Sequence, residues 1–331
     1  MAVFSFYEEQ RRNITKSYLL IFFFVVVMGA FGLIIDYLFE TMPWFTLIFL
    51  GIALIQVLVA TLAGPSVVLS SVGAKPLEMG NLEQKQLSNI IQELSVAGGM
   101  APPPKIYHIP GDPTINAFAT GLRPQDAVIC VTDGLLEALN REETQGVVAH
   151  ELSHIQNRDM LYMTLLSALI GAVVIVQLFA LRAMIFVPSG GSRRDSNSGG
   201  IIIFLLAVAG LATVFALFGR IILFAVSRQR EYLADAHSVE LTRNPAGLAS
   251  ALRKIAQTPG RIRTASVATA HLFISDPLRR AVNEQEGGFF TNLFATHPPL
   301  FSRIARLEGK SPQQIHRELE GSPDPASPPA P

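Results

Sequence analysis

Residues 150–154 read His-Glu-Leu-Ser-His. On a helix, positions four apart share one face, so the two imidazoles can reach a single ion. Glu151 lies beside them, placed to act on a water held by that ion rather than to bind the ion itself. The chemistry implied is metal-assisted hydrolysis, and at these histidine and glutamate frequencies a chance match is expected in about one chain in a hundred. The competing reading is two core histidines and a surface glutamate. Placement on a helix argues against it. Asn140-Arg-Glu-Glu143 offers a cap and, three residues later, a glutamate to complete a capping box, which predicts a helix starting near Arg141 and running through the motif.

A catalytic zinc takes three protein ligands and leaves its fourth position to water. The metzincin continuation, a glycine and a third histidine soon after the pair, is excluded because Gln156-Asn157-Arg158-Asp159 follows. The remaining candidate is a distant glutamate. Arg228-Gln-Arg-Glu231-Tyr-Leu-Ala-Asp235 supplies Glu231, with Asp235 one turn on. Asp235 could accept the free ring N–H of a ligating histidine and fix its tautomer. Alone, such an acidic pair is usually a solvated helix face; the histidine pair gives the ligand reading more weight.

The elements that must position these groups are unusual. The chain has 331 residues, 26 basic and 26 acidic, and only 16% charged, against about 25% in soluble domains. Half is apolar and the mean hydropathy is +0.37. Zero net charge excludes a basic nucleic-acid binder and an acidic disordered tail protein. A single cysteine, Cys130, excludes a disulfide framework, a cysteine-rich zinc finger and a four-cysteine iron–sulfur site. It lies in a Val-Ile-Cys-Val run and reads as a buried hydrophobe. Four apolar stretches hold the excess: Tyr18–Ile35, Trp44–Gly64, Met160–Val187 with Gln177 and Arg182, and Ile201–Val226 with Arg220. Each is long enough to cross a bilayer, which takes about 20 residues. Buried core helices are the alternative, and for the last two a partial or interfacial path. Arg11, Arg12 and Lys16 precede the first stretch while the turn Phe39–Pro43 has no basic residue, which puts the N-terminus in the cytoplasm.

Two crossings between His154 and Glu231 return the chain to the same membrane side, as a shared ion demands. The chain then divides into a head and first hairpin (1–64), a polar block with the histidine helix (65–159), a second hairpin (160–226), a second polar block with the third ligand (227–320) and a Pro-rich disordered tail (321–331). Ser189–Gly200 reads as a flexible turn. In the first polar block a helix is expected over Asn81–Leu94 and strands over Lys105–Ile109, Asn116–Thr120 and Ala127–Val131. In the second, helices are expected over Gly247–Ala256 and Phe301–Leu307, after a break at Asn244–Pro245.

In this order the segments resemble the HtpX-type membrane-integrated zinc metalloproteases, related to the CaaX prenyl endopeptidases. The likeness takes in the apolar hairpin, Asn116-Ala-Phe-Ala-Thr-Gly121, the His-Glu-Leu-Ser-His helix, a second hairpin, Glu231-Tyr-Leu-Ala-Asp235, and Thr296-His-Pro-Pro299 with Arg303 beyond. It implies a mainly α integral membrane protein with four transmembrane helices and a gluzincin-like α+β zinc protease domain built from two chain segments. It further implies one Zn2+ per chain bound by His150, His154 and Glu231, with Glu151 as general base. His297 would steady the oxyanion or substrate backbone, and Arg303 would pair with an acidic group behind the metal site. The segment containing Asn116, Ala117 and Phe118 would be an edge strand that pairs with extended substrate. Implied substrates are misfolded or damaged membrane proteins, and the implied place is a bacterial inner membrane with the catalytic domain cytoplasmic. No nucleic-acid partner is expected. His108, His237, His271 and His316 lie outside every motif and read as structural.

Two other classes remain open on sequence. A structural zinc clamp would leave Glu151 silent and fill all four metal positions with protein. A metal transporter would need polar ligands inside the spans, where only Gln56, Gln177, Arg182 and Arg220 are found.

Overall fold

The computed structural model describes residues 6–41, 43–185, 202–210, 213, 230–258, 260–266, 269–277 and 298–320. The chain opens with an antiparallel hairpin of α1 (Phe6–Phe39) and α2 (Trp44–Ser71). Within it, Asn13–Tyr37 and Trp44–Ser71 are long and apolar enough to cross a membrane. A buried core helix would hide its large side chains, yet Phe22 is 67% exposed and Leu62 76%. The hairpin is tied at its turn by one carboxylate. Asp36, fully buried near the end of α1, accepts from the backbone N–H of Phe45 and of Thr46 at 2.9 Å each, and from the Thr46 hydroxyl at 2.7 Å. The open N–H groups of the first turn of α2 are thus satisfied by a neighbouring helix rather than by a local cap.

The first polar block is an α/β layer. Helix α3 (Leu82–Ala97) starts at an Asn81–Gln84 capping box. β1 (Lys75–Pro76) precedes this helix and β2 (Lys105–Ile109), β3 (Ala117–Thr120) and β4 (Val128–Thr132) follow it, in sheet order β1-β2-β4-β3. β4 runs parallel to β2 and antiparallel to β3, and the central position of β4 accounts for its unbroken apolar run. Cys130 is fully buried there, and burial pushes its thiol well above the usual range. A short helix, α4 (Asp133–Ala138), leads to α5 (Arg141–Gln156), the helix carrying the histidine pair.

At Arg158 the backbone turns left-handed, with φ of 56°, and α6 (Asp159–Ile185) departs as the third apolar stretch. Leu165 and Leu169 of α6 share an apolar cluster with Phe24, Phe31, Phe49 and Ala60 of the hairpin. Of the fourth apolar stretch, residues 202–210 and 213 are described and helical; Val208 and Ala209 join the same cluster. The Ser189–Gly200 turn, the tail 321–331 and the rest of the fourth stretch lie outside the described residues.

The second polar block returns as a helix over 230–242, here α7. α8 (Pro245–Gln257), α9 (Leu300–Glu308) and α10 (Pro312–Glu320) follow. Asn244 caps α8 by accepting from the Gly247 N–H at 3.2 Å. α8 crosses α5 so closely that a Cβ on Gly146 would lie 2.7 Å from the Leu248 nitrogen. One apolar core joins α3, the sheet, α5, α8 and α9, with Leu87, Ile129, Leu152, Leu252 and Ile304 all buried in it. Two pieces of chain separated by more than seventy residues are thereby fused into one domain.

Candidate active site

The histidine helix begins as its sequence dictates. The Asn140 side chain accepts from the Glu143 N–H at 3.0 Å, and Glu143 accepts from the Asn140 N–H at 2.8 Å. Lys254 and Ser250 of α8 donate to the same carboxylate at 2.7 and 2.6 Å. Burial alone would raise the Glu143 pKa, but these donors hold it below the usual carboxylate value. The start of α5 is therefore fixed both by its own cap and by the second polar block.

Two turns further on, the His150 and His154 side chains converge with Glu231 of α7. The two Nε2 atoms are 3.3 Å apart. Glu231 places Oε2 3.6 Å from His150 Nε2 and Oε1 3.7 Å from His154 Nε2. One donor atom from each residue lies within 4.8 Å of the others. Zinc–ligand bonds of about 2.0–2.1 Å in a tetrahedron set ligand atoms roughly 3.3–3.5 Å apart, so this triangle fits a zinc ion. Glu151 provides the second sign of fit. Both its carboxylate oxygens are buried, and neither accepts a hydrogen bond among the described residues.

Behind the triangle, each histidine presents its other ring nitrogen to a carboxylate. Asp235 Oδ1 lies 3.0 Å from His150 Nδ1, and Asp159 Oδ2 lies 3.2 Å from His154 Nδ1. Such partners fix the tautomer that leaves Nε2 for the metal. Asp235 is in turn gripped by fully buried Arg303, whose Nε and Nη2 donate at 2.9 and 2.7 Å. Arg303 Nη1 donates to the Ile274 carbonyl at 2.8 Å and stands 3.4 Å from Glu231 Oε2.

Burial and the nearby Arg303 charge push the His150 pKa down, yet hydrogen bonds to Asp235 and Glu231 carry it up to about 9. A metal at Nε2 displaces that proton, which couples binding to pH. Burial raises the Asp235 pKa, but Arg303 overcomes this and keeps it low. Glu151 goes the other way: burial lifts its pKa above the usual value despite the opposing pull of the histidines.

Glu151 and His154 face a narrow cavity that Ala119, Met160, Met163, His271 and Leu272 also line. Residues 116–118 are already engaged by the chain itself. The Asn116 amide donates to the Ser275 carbonyl at 3.2 Å, Ile274 N–H donates to the Ala117 carbonyl at 2.9 Å, and Phe118 bridges antiparallel to Phe273. β3 does end the sheet beside α5, as the family resemblance implies, but it is Ala119 that reaches the cavity. His297 lies outside the described residues. Three residues escaped the sequence reading. Asp159 had served only to exclude the metzincin pattern, although its position five residues after His154 was the available signal. Asn13, which donates to Asp159 at 2.6 Å, had none. His271, read as structural, lies on the cavity wall with Nε2 3.0 Å from the Ser167 hydroxyl.

The profile of peptidase family M48 matches residues 81–311. The chain belongs to peptidase family M48. The match spans both polar blocks and every residue of the triangle, and it makes the protein a metalloprotease. Among its M48 relatives, the "Protease HtpX homolog" of Caldanaerobacter subterraneus subsp. tengcongensis is 42% identical over 305 residues, covering 91% of this chain and 97% of that one. That of Thermoanaerobacter pseudethanolicus is also 42% identical over 305 residues, with the same coverage. That of Lactobacillus helveticus is 38% identical over 308 residues, covering 91% and 99%. Among solved structures, that of Ste24p from S. mikatae is similar, with a TM-score of 0.47 and 22% identity over 85% of this chain and 61% of that one.

Proposed function

We propose that this M48 peptidase is a membrane-integrated zinc endopeptidase that hydrolyses misfolded or damaged membrane proteins. The carrying observation is the convergence of His150, His154 and Glu231 beside a buried carboxylate, Glu151, that is not itself needed as a ligand. When bound, zinc supplies a Lewis acid that polarises the scissile carbonyl and makes water a better nucleophile at neutral pH. Glu151 takes the proton from the attacking water and passes it to the departing amine. Asp235 and Asp159 hold the two imidazoles in the tautomer the ion requires, and Arg303 keeps Asp235 charged. Met160, Met163 and Leu272 give the cavity an apolar wall that limits water around the reacting groups. An extended peptide entering at Ala119 would align against the end of β3, with Asn116, Ala117 and Phe118 supporting that edge, and His297 is the proposed group to steady the oxyanion or substrate backbone.

The exposed apolar faces of α1 and α2 support lipid contact, and α6 with the Ile201–Val226 stretch would complete four crossings. Arg11, Arg12 and Lys16 favour a cytoplasmic N-terminus and catalytic domain, and the bacterial HtpX relatives favour an inner membrane. A structural zinc clamp is a poorer fit, because among the described residues three side chains meet the geometric requirement and Glu151 is left for chemistry. Transport is a poorer fit because the triangle sits between α5 and α7 rather than within an apolar span.

The test is Glu151→Gln in detergent-purified, zinc-loaded protein, assayed on unfolded substrates. The variant should keep one zinc per chain by elemental analysis and lose cleavage. Cleavage at the wild-type rate would reject the role of Glu151.

A further inference from the structure

We infer that the N-terminal membrane hairpin is part of the metal site: Asn13 of α1, acting through Asp159, is a positioning group for the zinc ligand His154. The inference rests on the zinc reading given above. Both residues are buried, Asn13 at 0% exposure and Asp159 at 3%. Asp159 divides its oxygens, Oδ2 towards His154 Nδ1 at 3.2 Å and Oδ1 towards the Asn13 amide, which donates at 2.6 Å. The same amide donates to the Asn157 carbonyl at 3.0 Å, so α1 grips the chain on both sides of the left-handed turn at Arg158. That turn ends α5 and brings the first residue of α6 back beneath His154. Arg230 adds charge, its Nη1 lying 3.7 Å from Asp159 Oδ1.

The arrangement parallels the one behind His150. There, Asp235 orients the ring and Arg303 holds Asp235; here Asp159 orients the ring, with Asn13 and Arg230 holding Asp159. The difference lies in where the support comes from. Arg303 belongs to the same polar domain as the ligand, whereas Asn13 belongs to a helix that is long and apolar enough to cross a membrane. A carboxylate left without its hydrogen-bond donors can take other rotamers, and a ligand ring without a fixed carboxylate loses its preferred tautomer. Withdrawal of α1 would therefore weaken zinc binding with no change to any ligand.

The alternative is that Asp159 merely favours the start of α6, where an acidic side chain stabilises a helix N-terminus. That role would lower the melting point without touching the metal. The experiment uses the full chain in detergent and measures zinc affinity by competition with a chromophoric chelator, alongside thermal melting of the metal-free protein. Asp159→Ala should weaken zinc about 10- to 100-fold, and Asn13→Ala should weaken it by a smaller factor. The double variant should be no weaker than Asp159→Ala alone. If Asp159→Ala fails to fold, Asp159→Asn, whose oxygen still accepts from a ring N–H, takes its place and should give an intermediate loss. Zinc affinity within about twofold of wild type in the folded Asp159 variant would overturn the inference, as would full additivity of the two single losses. Wild-type protein that binds zinc no better than His150→Ala would instead end the metal reading itself.

Discussion

Replacing Arg303 with alanine removes a fully buried charge that donates to Asp235 and to the Ile274 carbonyl. Two of these hydrogen bonds go to Asp235, at 2.9 and 2.7 Å, and one to the Ile274 carbonyl at 2.8 Å. Breaking a buried pair by removing one partner costs about 3–5 kcal/mol, because the surviving charge stays buried and unpaired. In a domain of about 150–250 residues, each kcal/mol moves the melting temperature by about 2–4 °C. The metal-free variant should thus melt about 6–20 °C below wild type in calorimetry of the detergent-solubilised chain. Its zinc affinity should fall as well, since Asp235 no longer holds His150 in register. A second variant separates these effects. Asp235→Leu combined with Arg303→Met removes both charges, and apolar replacement of a whole buried pair is often neutral for stability. The double variant should recover most of the melting temperature while zinc affinity stays low. A melting point within about 2 °C of wild type for Arg303→Ala would refute the argument. So would a double variant less stable than either single one.

Three further outcomes are expected. Glu308 is held down to about 2, first by its hydrogen bond from Arg253 and against opposing burial; a depressed carboxylate contributes stability above its ordinary pKa and loses it as pH falls through the folded value. Acid unfolding should therefore steepen between about pH 4.5 and 2, and Glu308→Gln should flatten that window in circular-dichroism melts. Gly146→Ala should destabilise by about 1–3 kcal/mol despite the better helix propensity of alanine, because the added Cβ meets the Leu248 backbone at 2.7–2.8 Å; an unchanged urea midpoint would count against the close crossing. Asp36→Ala leaves the Phe45 and Thr46 N–H groups without their acceptor, at about 1–3 kcal/mol, and should speed proteolytic nicking at residues 40–43 in detergent.

Local signals carried much of the site into the sequence. The Asn140–Glu143 box set the start of α5, and helical spacing alone put His150 and His154 on one face. Strands β2, β3 and β4 fall within one or two residues of their apolar runs, because β-branched stretches between Pro and Gly breaks leave few alternatives. That Asp235 could support a ligating histidine was readable from its place one turn after Glu231; that the histidine is His150 was not. What escaped depends on distant packing. Asn13 gives no hint of a partner 146 residues away, and Asp36 reads as the end of an apolar run rather than as the cap of the following helix. The partial covering of β3 by Phe273 and Ile274 was equally hidden, since an irregular loop has no periodicity from which to infer a pairing. β1, with two residues, is too short for any pattern.

The guanidinium behind His150 also bears on the order in which the site is assembled. It comes from position 303, whereas both imidazoles are in place by position 154 and both acidic partners by 235. A polypeptide cut before 303 keeps the triangle of His150, His154 and Glu231 but lacks the cation that grips Asp235. The support behind His150 is thus finished only once α9 has docked its guanidinium against Asp235 of α7.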